Sequence, residues 1–408
     1  MQEKNVTEIL SELVKIKSIS SDKNHIADVK KSAEFVEKLF LELGLQTKIA
    51  TSGNSRPAVL AQTEINPDRK TVLLYAHHDV QPVGDINKWE TDPFNPEIIN
   101  GRLFGRGSGD NKAGVVIHHE VVKELMKDLP VNIKIFIEGE EEIGSPCMAQ
   151  FLDEFNKELE ADVIVIADSG NIRIGTPTVT TSLRGLVDGF IEVDQPMRPV
   201  HSGVGGGVVP DAFMVLSKII ASFHNEKGEL QIEGLTSSDM DVLELKEEEI
   251  KKIFGSEDIN LFELDSISKR LWLEPALSIL AIDAPSTKEA VNLVIPNAKA
   301  KVSLRLPPTE DPEHAMKMLE EHIMKNVPWG ANVRFIPEAK GSGIVADPNK
   351  EFTKKLVQNF EEVFNTDAAY MGVGGSIPFA NDFVEKFPNA ELVLIGAADE
   401  EMGNAHAP

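Results

Sequence analysis

The spacing of apolar residues predicts an α/β arrangement in the first part of the chain. Residues 5–44 carry two amphipathic helical patterns, and the second, from about Ala27 to Leu43, ends before Gly44, a residue that commonly follows a helix. Four mostly apolar runs then predict buried strands, and a helical stretch at about 113–127 separates the second run from the third. The runs are Ala58–Ala61, Val72–Tyr75, Ile133–Ile137 and Val163–Ala167. Such strands alternating with helices predict a largely parallel sheet covered on both faces.

From about Thr178 the pattern changes to that of a second, smaller α+β domain. Alternation predicts three strands, at Thr180–Val193, Ala298–Leu306 and Asn332–Pro337, and helical spacing predicts helices at Ala212–Phe223 and Pro312–Asn326. After Asp347 a helix and the strand Glu391–Ile395 resemble the first part again, so the middle is interpreted as an insertion. We therefore predict one domain from residues 1–178 and 343–408, with residues 179–342 inserted as the other.

Composition and charge narrow the class of protein and its partners. The 408 residues exceed what one core usually serves, and 41% hydrophobic and 26% charged residues are ordinary for a folded globular protein. The net charge of −25 argues against nucleic acid or an anionic membrane as a partner. The start carries no leader pattern, no apolar run reaches membrane-spanning length, and Cys147 is the single cysteine. We therefore expect a cytoplasmic protein without an intrachain disulfide.

Carboxylates follow several of the predicted strands within a few residues. Asp79, Glu141 and Asp168 each lie just past an apolar run. In parallel α/β sheets functional groups gather beyond the strand ends, so these three are expected to share a site. His77 lies two residues before Asp79, and in extended chain such positions share a face. A histidine with a neighbouring aspartate is a common metal ligand with its orienting partner, although a polar loop that ends a strand explains the pair equally well.

Two further acidic segments admit both a functional and an ordinary interpretation. Asp110 follows Gly105–Gly109, but the glycines lack the spacing of a dinucleotide-binding loop, and we interpret them as permissive backbone that delivers one carboxylate. The run Glu140–Glu142 is either surface charge or a compensated cluster, because adjacent carboxylates ionise together only where cations offset them. His118 and His119 lack the second histidine of a His-Glu-x-x-His zinc motif and are interpreted as helix surface.

Taken in order, the motifs resemble the dinuclear zinc metallopeptidases that include carnosinase-type dipeptidases, carboxypeptidase G, acetylornithine deacetylase and succinyl-diaminopimelate desuccinylase. The carnosinase-like branch is the most similar, through His77–Pro82, Trp89–Pro96, Gly105–Gly107, Asp110–Lys112 and Gly375–Pro378. The resemblance covers nearly the full length. It implies a mixed, largely parallel sheet flanked by helices as the catalytic domain, with an inserted α+β lid and dimerisation domain at 179–342.

The resemblance also implies a role for each candidate residue. Two divalent metal ions per chain, zinc first and manganese or cobalt as alternatives, would be held by His77, Asp110, Glu142, Asp168 and His406. Asp79 would orient His77, Glu141 would be the general base, and His201 would stabilise the oxyanion across a homodimer interface formed by the lid. The substrate carboxylate would be bound by Arg305, Gly374, Gly375 and Ser376.

The activity implied is hydrolysis of dipeptides or short peptides with a free C-terminal carboxylate, by a metal-bridging water that Glu141 activates. An N-acyl amino-acid deacylase would use the same chemistry, and a non-catalytic peptide-binding relative is the alternative from another class. Relatives continue past the last histidine with an Asn-Glu pair and a terminal helix, whereas this sequence stops at Pro408. We therefore expect either a shortened sequence or a second metal site weaker than usual.

Overall fold

The structure is a computed structural model that describes residues 5–375 and 378–399. The helices in these ranges are α1 (Val6–Val14), α2 (Ile26–Glu42), α3 (Lys112–Leu125), α4 (Met148–Glu154), α5 (Asn156–Leu159), α6 (Ser202–Gly205), α7 (Ala212–Ala221), α8 (Glu247–Ile253), α9 (Ile267–Trp272), α10 (Pro312–Lys325), α11 (Glu351–Phe364) and α12 (Pro378–Lys386). None of these helices combines the length and the apolar composition that a membrane span needs.

Strands outnumber helices over the same ranges. They are β1 (Gln46–Ala50), β2 (Ala58–Gln62), β3 (Thr71–His77), β4 (Glu97–Ile99), β5 (Arg102–Phe104), β6 (Asn132–Glu138), β7 (Val163–Ala167), β8 (Thr178–Leu183), β9 (Gly185–Asp194), β10 (Val200–His201), β11 (Ala276–Asp283), β12 (Leu293–Val294), β13 (Asn297–Leu306), β14 (Val333–Gly341), β15 (Ile344–Val345), β16 (Ala369–Val373) and β17 (Glu391–Ile395).

The chain divides into two compact units. The first takes residues up to 181, residues 346–371 and the described residues from 378 onward, and the second takes residues 182–345 together with 372–375. Nine strands form one sheet in the order β1-β2-β6-β3-β7-β17-β8-β15, with β16 paired to β8. The pairs β3–β6, β3–β7 and β7–β17 are parallel, whereas β1–β2 and β2–β6 are antiparallel. The predicted mixed, largely parallel sheet is therefore confirmed.

The central strands of this sheet are apolar because they are buried on both faces. Every residue of β6 and β7 is buried, because helices cover both faces of a parallel sheet and leave no polar side. The strands β6, β3 and β7 are neighbours and run in the same direction. The segments that follow His77, Glu138 and Ala167 therefore emerge at one edge of the sheet.

The second unit contains a four-stranded antiparallel sheet in the order β11-β13-β9-β14. Buried and half-buried residues alternate along β9, as expected for a sheet with one covered face, and α7 and α10 pack on that sheet. The single strand predicted at Thr180–Val193 is two strands, β8 and β9, which Arg184 separates. The strand β11 was not predicted, because much of it is exposed and its residues show no clear alternation. Its pairing with β13 sets its register.

Candidate metal centre and active site

His77 is the last residue of β3, and its side chain is fully buried. Its Nδ1 lies 3.1 Å from the backbone oxygen of Asp79 and 3.4 Å from Asp79 Oδ1. Both of these oxygens can only accept, so Nδ1 carries the proton and donates it. The other ring nitrogen, Nε2, is thereby turned toward the cluster of carboxylates, where it could bind a metal ion.

Three carboxylates face this nitrogen. Asp110 Oδ1 lies 3.1 Å, Asp168 Oδ1 3.4 Å and Glu141 Oε2 3.8 Å from His77 Nε2. One ligand atom from each of His77, Asp110 and Asp168 lies within 4.8 Å of the other two. An imidazole and two carboxylates that converge in this way are a donor set that zinc, manganese and cobalt all accept.

The Asp110 side chain reaches the site through an unusually close approach of backbone segments. Asp110 precedes α3, and the Asp110–Asn111 peptide bond is cis. Asn111 Nδ2 donates to Asp168 Oδ1 at 2.5 Å. The residue that follows Asp110 therefore holds the carboxylate of Asp168. A Cβ on Gly114 would lie 2.1 Å from Asn111 Oδ1 and 2.6 Å from the backbone oxygen of Ala167. Only glycine therefore lets the first turn of α3 pack against the end of β7.

Asp79 has more contacts than its sequence position beside His77 suggests. Its Oδ1 accepts from the backbone N–H of Glu141 at 3.2 Å, and its Oδ2 accepts from that of Glu142 at 3.1 Å. Burial opposes the charge on Asp79, but the interaction with His77 outweighs it and the pKa of Asp79 is lowered. The carboxylate of Asp79 thus contacts both the His77 ring and the one-turn 3₁₀ helix Glu141–Ile143.

The three consecutive glutamates have different surroundings. Glu140 is buried, and its carboxylate accepts from the backbone N–H groups of Arg56 and Cys147 at 2.8 and 3.1 Å. Glu141 faces His77. Glu142 Oε1 accepts from the backbone N–H of Gln81 at 3.2 Å, and it is not among the three residues that converge on one point in the described part of the chain. Its role as a metal ligand therefore stays a prediction.

The electrostatics of the cluster indicate that a cation belongs there. Burial raises the pKa of Glu141 well above its ordinary value, and the charges of Asp168, Glu142 and Asp79 raise it further against the opposing effect of His77. Burial likewise raises the pKa of Asp168. Burial disfavours the charged form of His77, yet the carboxylates around it prevail and raise its pKa well above normal. Divalent cations would let the carboxylates ionise together and would displace the proton from His77 Nε2, so the residues fit a metal centre.

The remaining candidate residues lie elsewhere in the described chain or outside it. His201 and Arg305 belong to the second unit, as do Gly374 and Gly375. His201 is exposed, and its Nδ1 accepts from the backbone N–H of Gly203 at 3.1 Å. Arg305 is half-buried on β13, opposite Ala276 of β11 and Leu186 of β9. Ser376 and His406 lie outside the described residues, and their predicted roles rest on the sequence alone.

The interpretation of His118 and His119 as helix surface is wrong. Both are buried, and His118 Nε2 donates to the backbone oxygen of Tyr75 at 2.8 Å, which ties α3 to β3 two residues before His77. The available signal was the helical spacing of Val115 and Val122, which flank His118 on one apolar face.

Glu138 is a second buried polar residue that the sequence did not single out. It ends β6 opposite His77 and accepts a hydrogen bond from the Tyr75 hydroxyl at 2.6 Å. Burial raises its pKa to about 8.

Replacing His118 by glutamine is expected to make the protein less sensitive to acid. Burial lowers the pKa of His118 to about 4, below its ordinary 6.5, so the unfolded chain binds a proton here that the folded chain excludes. The stability of the wild type is therefore fully present above pH 6.5 and falls as the pH drops from 6.5 toward 4, by up to about 1.4 kcal/mol per pH unit from this group. Glutamine keeps a donor for Tyr75 and does not titrate.

The measurement is urea unfolding of both proteins between pH 7 and pH 4.5 in the presence of chelator, so that metal loss does not contribute. The unfolding free energy of the wild type should fall more steeply with falling pH than that of His118→Gln, so the first value minus the second should decrease. Parallel curves for the two proteins would contradict the assignment of a buried, neutral His118.

Comparisons with known proteins show which family this chain is similar to. The sequence model of the family described as Peptidase family M20/M25/M40 matches residues 73–408. A cysteinylglycine-S-conjugate dipeptidase of Corynebacterium striatum is 32% identical over 399 residues, which cover 96% of this chain and 88% of the relative. A Cys-Gly metallodipeptidase of Schizosaccharomyces pombe is 30% identical over 422 residues, with the same coverage of 96% and 88%.

A solved structure supports the same placement. The crystal structure of human carnosine dipeptidase 1 matches with a TM-score of 0.77 and 26% sequence identity, over 98% of this chain and 90% of that one. The similar proteins include both Cys-Gly dipeptidases and a carnosine dipeptidase, so the predicted resemblance to the carnosinase-type branch is confirmed.

Proposed function

Because this chain belongs to peptidase family M20/M25/M40 and is a hydrolase of peptide bonds, we propose that it is a cytoplasmic dipeptidase that uses two divalent metal ions, most simply zinc. The observation that carries the proposal is the convergence of Asp110, Asp168 and Glu141 on the Nε2 atom of the buried His77. In this proposal His77, Asp110, Glu142, Asp168 and His406 hold the metals.

When bound, the metal pair supplies Lewis acidity, which polarises the amide carbonyl and lowers the pKa of the attacking water to about 7. Glu141 accepts the proton of that water and returns it to the leaving amine. Its position suits this double task, because its carboxylate lies 3.8 Å from His77 Nε2, beside the proposed metal ligands. Asp79 keeps the Glu141 backbone and the His77 ring in place, and Asn111 keeps Asp168 in place.

The second unit is proposed to supply substrate binding, and the inserted segment 179–342 is proposed as the lid and dimerisation domain. Arg305 would hold the C-terminal carboxylate of the substrate with two parallel hydrogen bonds, supported by Gly374, Gly375 and Ser376. A fixed carboxylate sets the position of the last peptide bond, which directs hydrolysis to dipeptides or short peptides with a free C-terminus. His201 would donate to the oxyanion from the partner subunit.

Apolar exposure on the second unit supports a homodimer. The strand β11 is first in the order of its sheet, and its residues Leu280 and Ile282 are 56% and 51% exposed. An edge strand with exposed apolar side chains is a common site of association between copies. A protein that stays strictly monomeric in sedimentation at assay concentration, yet is fully active, would contradict the role of His201.

A substrate panel tests the proposed function. The metal-free protein is reconstituted with zinc, manganese or cobalt, and its metal content is measured. Dipeptides such as Cys-Gly and β-Ala-His are then compared with N-acetyl and N-succinyl amino acids and with dipeptide amides. We expect hydrolysis of the dipeptides and a kcat/KM roughly 10–100-fold lower for the amides, since they lack the charged partner of Arg305.

Two results would replace the proposal. Faster turnover of the N-acyl amino acids than of any dipeptide would make the protein a deacylase. Dipeptide binding without turnover, in a protein shown to contain metal, would make it a peptide-binding relative.

A further inference from the structure

Arg184 is a buried arginine to which neither the motifs nor the proposed mechanism gives a role. It occupies the single position between β8 and β9 and is 4% exposed. Its Nη2 donates to the backbone oxygen of Glu274, and its Nε has no hydrogen-bond partner among the described residues. A buried donor without a partner lowers the stability of the fold, so its presence indicates a compensating role.

The charges around Arg184 are predominantly of its own sign. Within the described chain the charged groups that act on its guanidinium are Arg305, Arg270 and Glu274. The single carboxylate among them is shared, because Glu274 Oε2 lies 3.2 Å from Arg270 Nε. Burial and the charges of Arg305 and Arg270 lower the pKa of Arg184 to about 10. In a chain with a net charge of −25, this corner of the second unit is locally positive.

The same corner contains the glycine loop that follows β16. The backbone N–H of Arg184 donates to the backbone oxygen of Val373 at 3.2 Å. A Cβ on Gly372 would lie 2.5 Å from Trp272 Cβ, and a Cβ on Gly374 would lie 3.5 Å from the backbone oxygen of Leu271. The end of β16 therefore packs tightly against α9, and the loop that follows it lies in ordinary contact with the same helix. The residues proposed to bind the substrate carboxylate thus lie in the same unit as Arg184. Gly374 and Gly375 follow the residue that its backbone contacts, and Arg305 is paired two residues along β9.

We propose that Arg184 is a positioning residue of the carboxylate subsite, whose buried charge acts through Arg305 and the glycine loop to make that subsite selective for a substrate with an ionised C-terminus. This inference rests on the proposed function. Arg305 lies opposite Leu186, two residues after Arg184, and the charges of the two arginines repel; an anion at Arg305 relieves that repulsion. The subsite is thus prepared for an anion before substrate arrives, and a neutral amide gains nothing from it.

The test separates binding from chemistry in the metal-loaded full chain. We compare KM and kcat for a dipeptide and for its C-terminal amide in wild type, Arg184→Gln and Arg184→Lys. Arg184→Gln should raise the KM of the dipeptide roughly 10–50-fold, the size expected for one charge acting across a few ångströms of protein. The kcat for the dipeptide and both constants for the amide should change less than about threefold. Arg184→Lys keeps the charge and should restore most of the lost affinity.

A matched control is available in the same unit. Arg334 is exposed and paired with Glu192 at 2.6 Å, so Arg334→Gln makes the same chemical change without touching the cluster and should leave every constant unchanged. If Arg184→Gln does not fold, Arg270→Gln removes a positive charge of the same cluster from a partly exposed position and should raise the KM of the dipeptide alone.

The outcomes distinguish this inference from the proposed function. A preference for the dipeptide over its amide that survives Arg184→Gln, or Arg270→Gln where the former is unfolded, overturns the inference alone. A KM that rises equally for dipeptide and amide overturns it as well, because that pattern marks a general structural defect. If the wild type hydrolyses dipeptides and amides equally well, both the binding of the substrate carboxylate by Arg305 and the role of Arg184 are wrong.

Discussion

Glu141→Gln is expected to abolish hydrolysis while the protein retains its metal. The glutamine amide keeps the size of the side chain but cannot accept a proton, so the attacking water loses its base and the leaving amine its acid. General acid–base catalysis contributes about 10²–10⁴-fold, and we expect kcat to fall by that amount. The metal ligands are untouched, because Asp79 holds this turn through the backbone N–H groups of Glu141 and Glu142. The measurement is kcat together with metal content by elemental analysis.

The neighbouring residue gives a matched control. Glu140→Gln is the same change one position earlier, where the carboxylate binds the backbone of Arg56 and Cys147. It should lower the unfolding free energy by about 1–3 kcal/mol and leave kcat nearly unchanged. If Glu141→Gln turns over substrate at the wild-type rate, or if Glu140→Gln is the inactive variant, the assignment of the base is wrong.

Asp110→Asn is expected to lose metal and activity together. The substitution replaces a charged ligand, 3.1 Å from His77 Nε2, by a neutral amide and leaves too little negative charge for a pair of dications. The metals supply several kcal/mol of transition-state stabilisation, so kcat/KM should fall by about 10³-fold or more. Equilibrium dialysis against zinc measures the loss directly. Thermal unfolding gives an independent readout, since zinc should raise the melting temperature of the wild type and not that of the variant.

The adjacent position again provides the comparison. Asn111→Ala removes the hydrogen bond to Asp168 Oδ1 but leaves the three converging ligands in place. The loss of such an outer partner usually costs 10–100-fold in metal affinity or activity, so the variant should recover turnover at high metal concentration. Full metal content in Asp110→Asn would show that this carboxylate is not a ligand.

Much of the first unit was predictable because its central strands are buried on both faces. Wholly apolar runs leave few alternatives, and the strands predicted at Val72–Tyr75, Ile133–Ile137 and Val163–Ala167 lie within β3, β6 and β7. Residues just past parallel neighbouring strands must meet at one edge of the sheet. That rule predicted a common location for Asp79, Glu141 and Asp168 without any alignment.

Other features depended on contacts between distant segments and could not be predicted. The break between β8 and β9 at Arg184 could not be predicted from residue types, because strand-like residues lie on both sides of it. Glu140 contacts the backbone of Arg56 and Cys147, whereas Glu141 faces His77. Periodicity along the chain does not predict such contacts between separate segments. Likewise, helical spacing alone did not predict the hydrogen bond from His118 to the backbone oxygen of Tyr75.

The sequence by itself determined the candidate residues for the chemistry and predicted that Asp79, Glu141 and Asp168 lie at one edge of the sheet. Residue type, apolar periodicity and ordered motifs are properties of the chain, and they were sufficient for the family and for the set of candidate ligands. Only the tertiary structure decided how these groups are arranged. Ligand geometry, the tautomer of His77, and the burial that raises the pKa of Glu141 and places Arg184 beside Arg305 all depend on which distant segments pack together, and side-chain energetics follow from that packing.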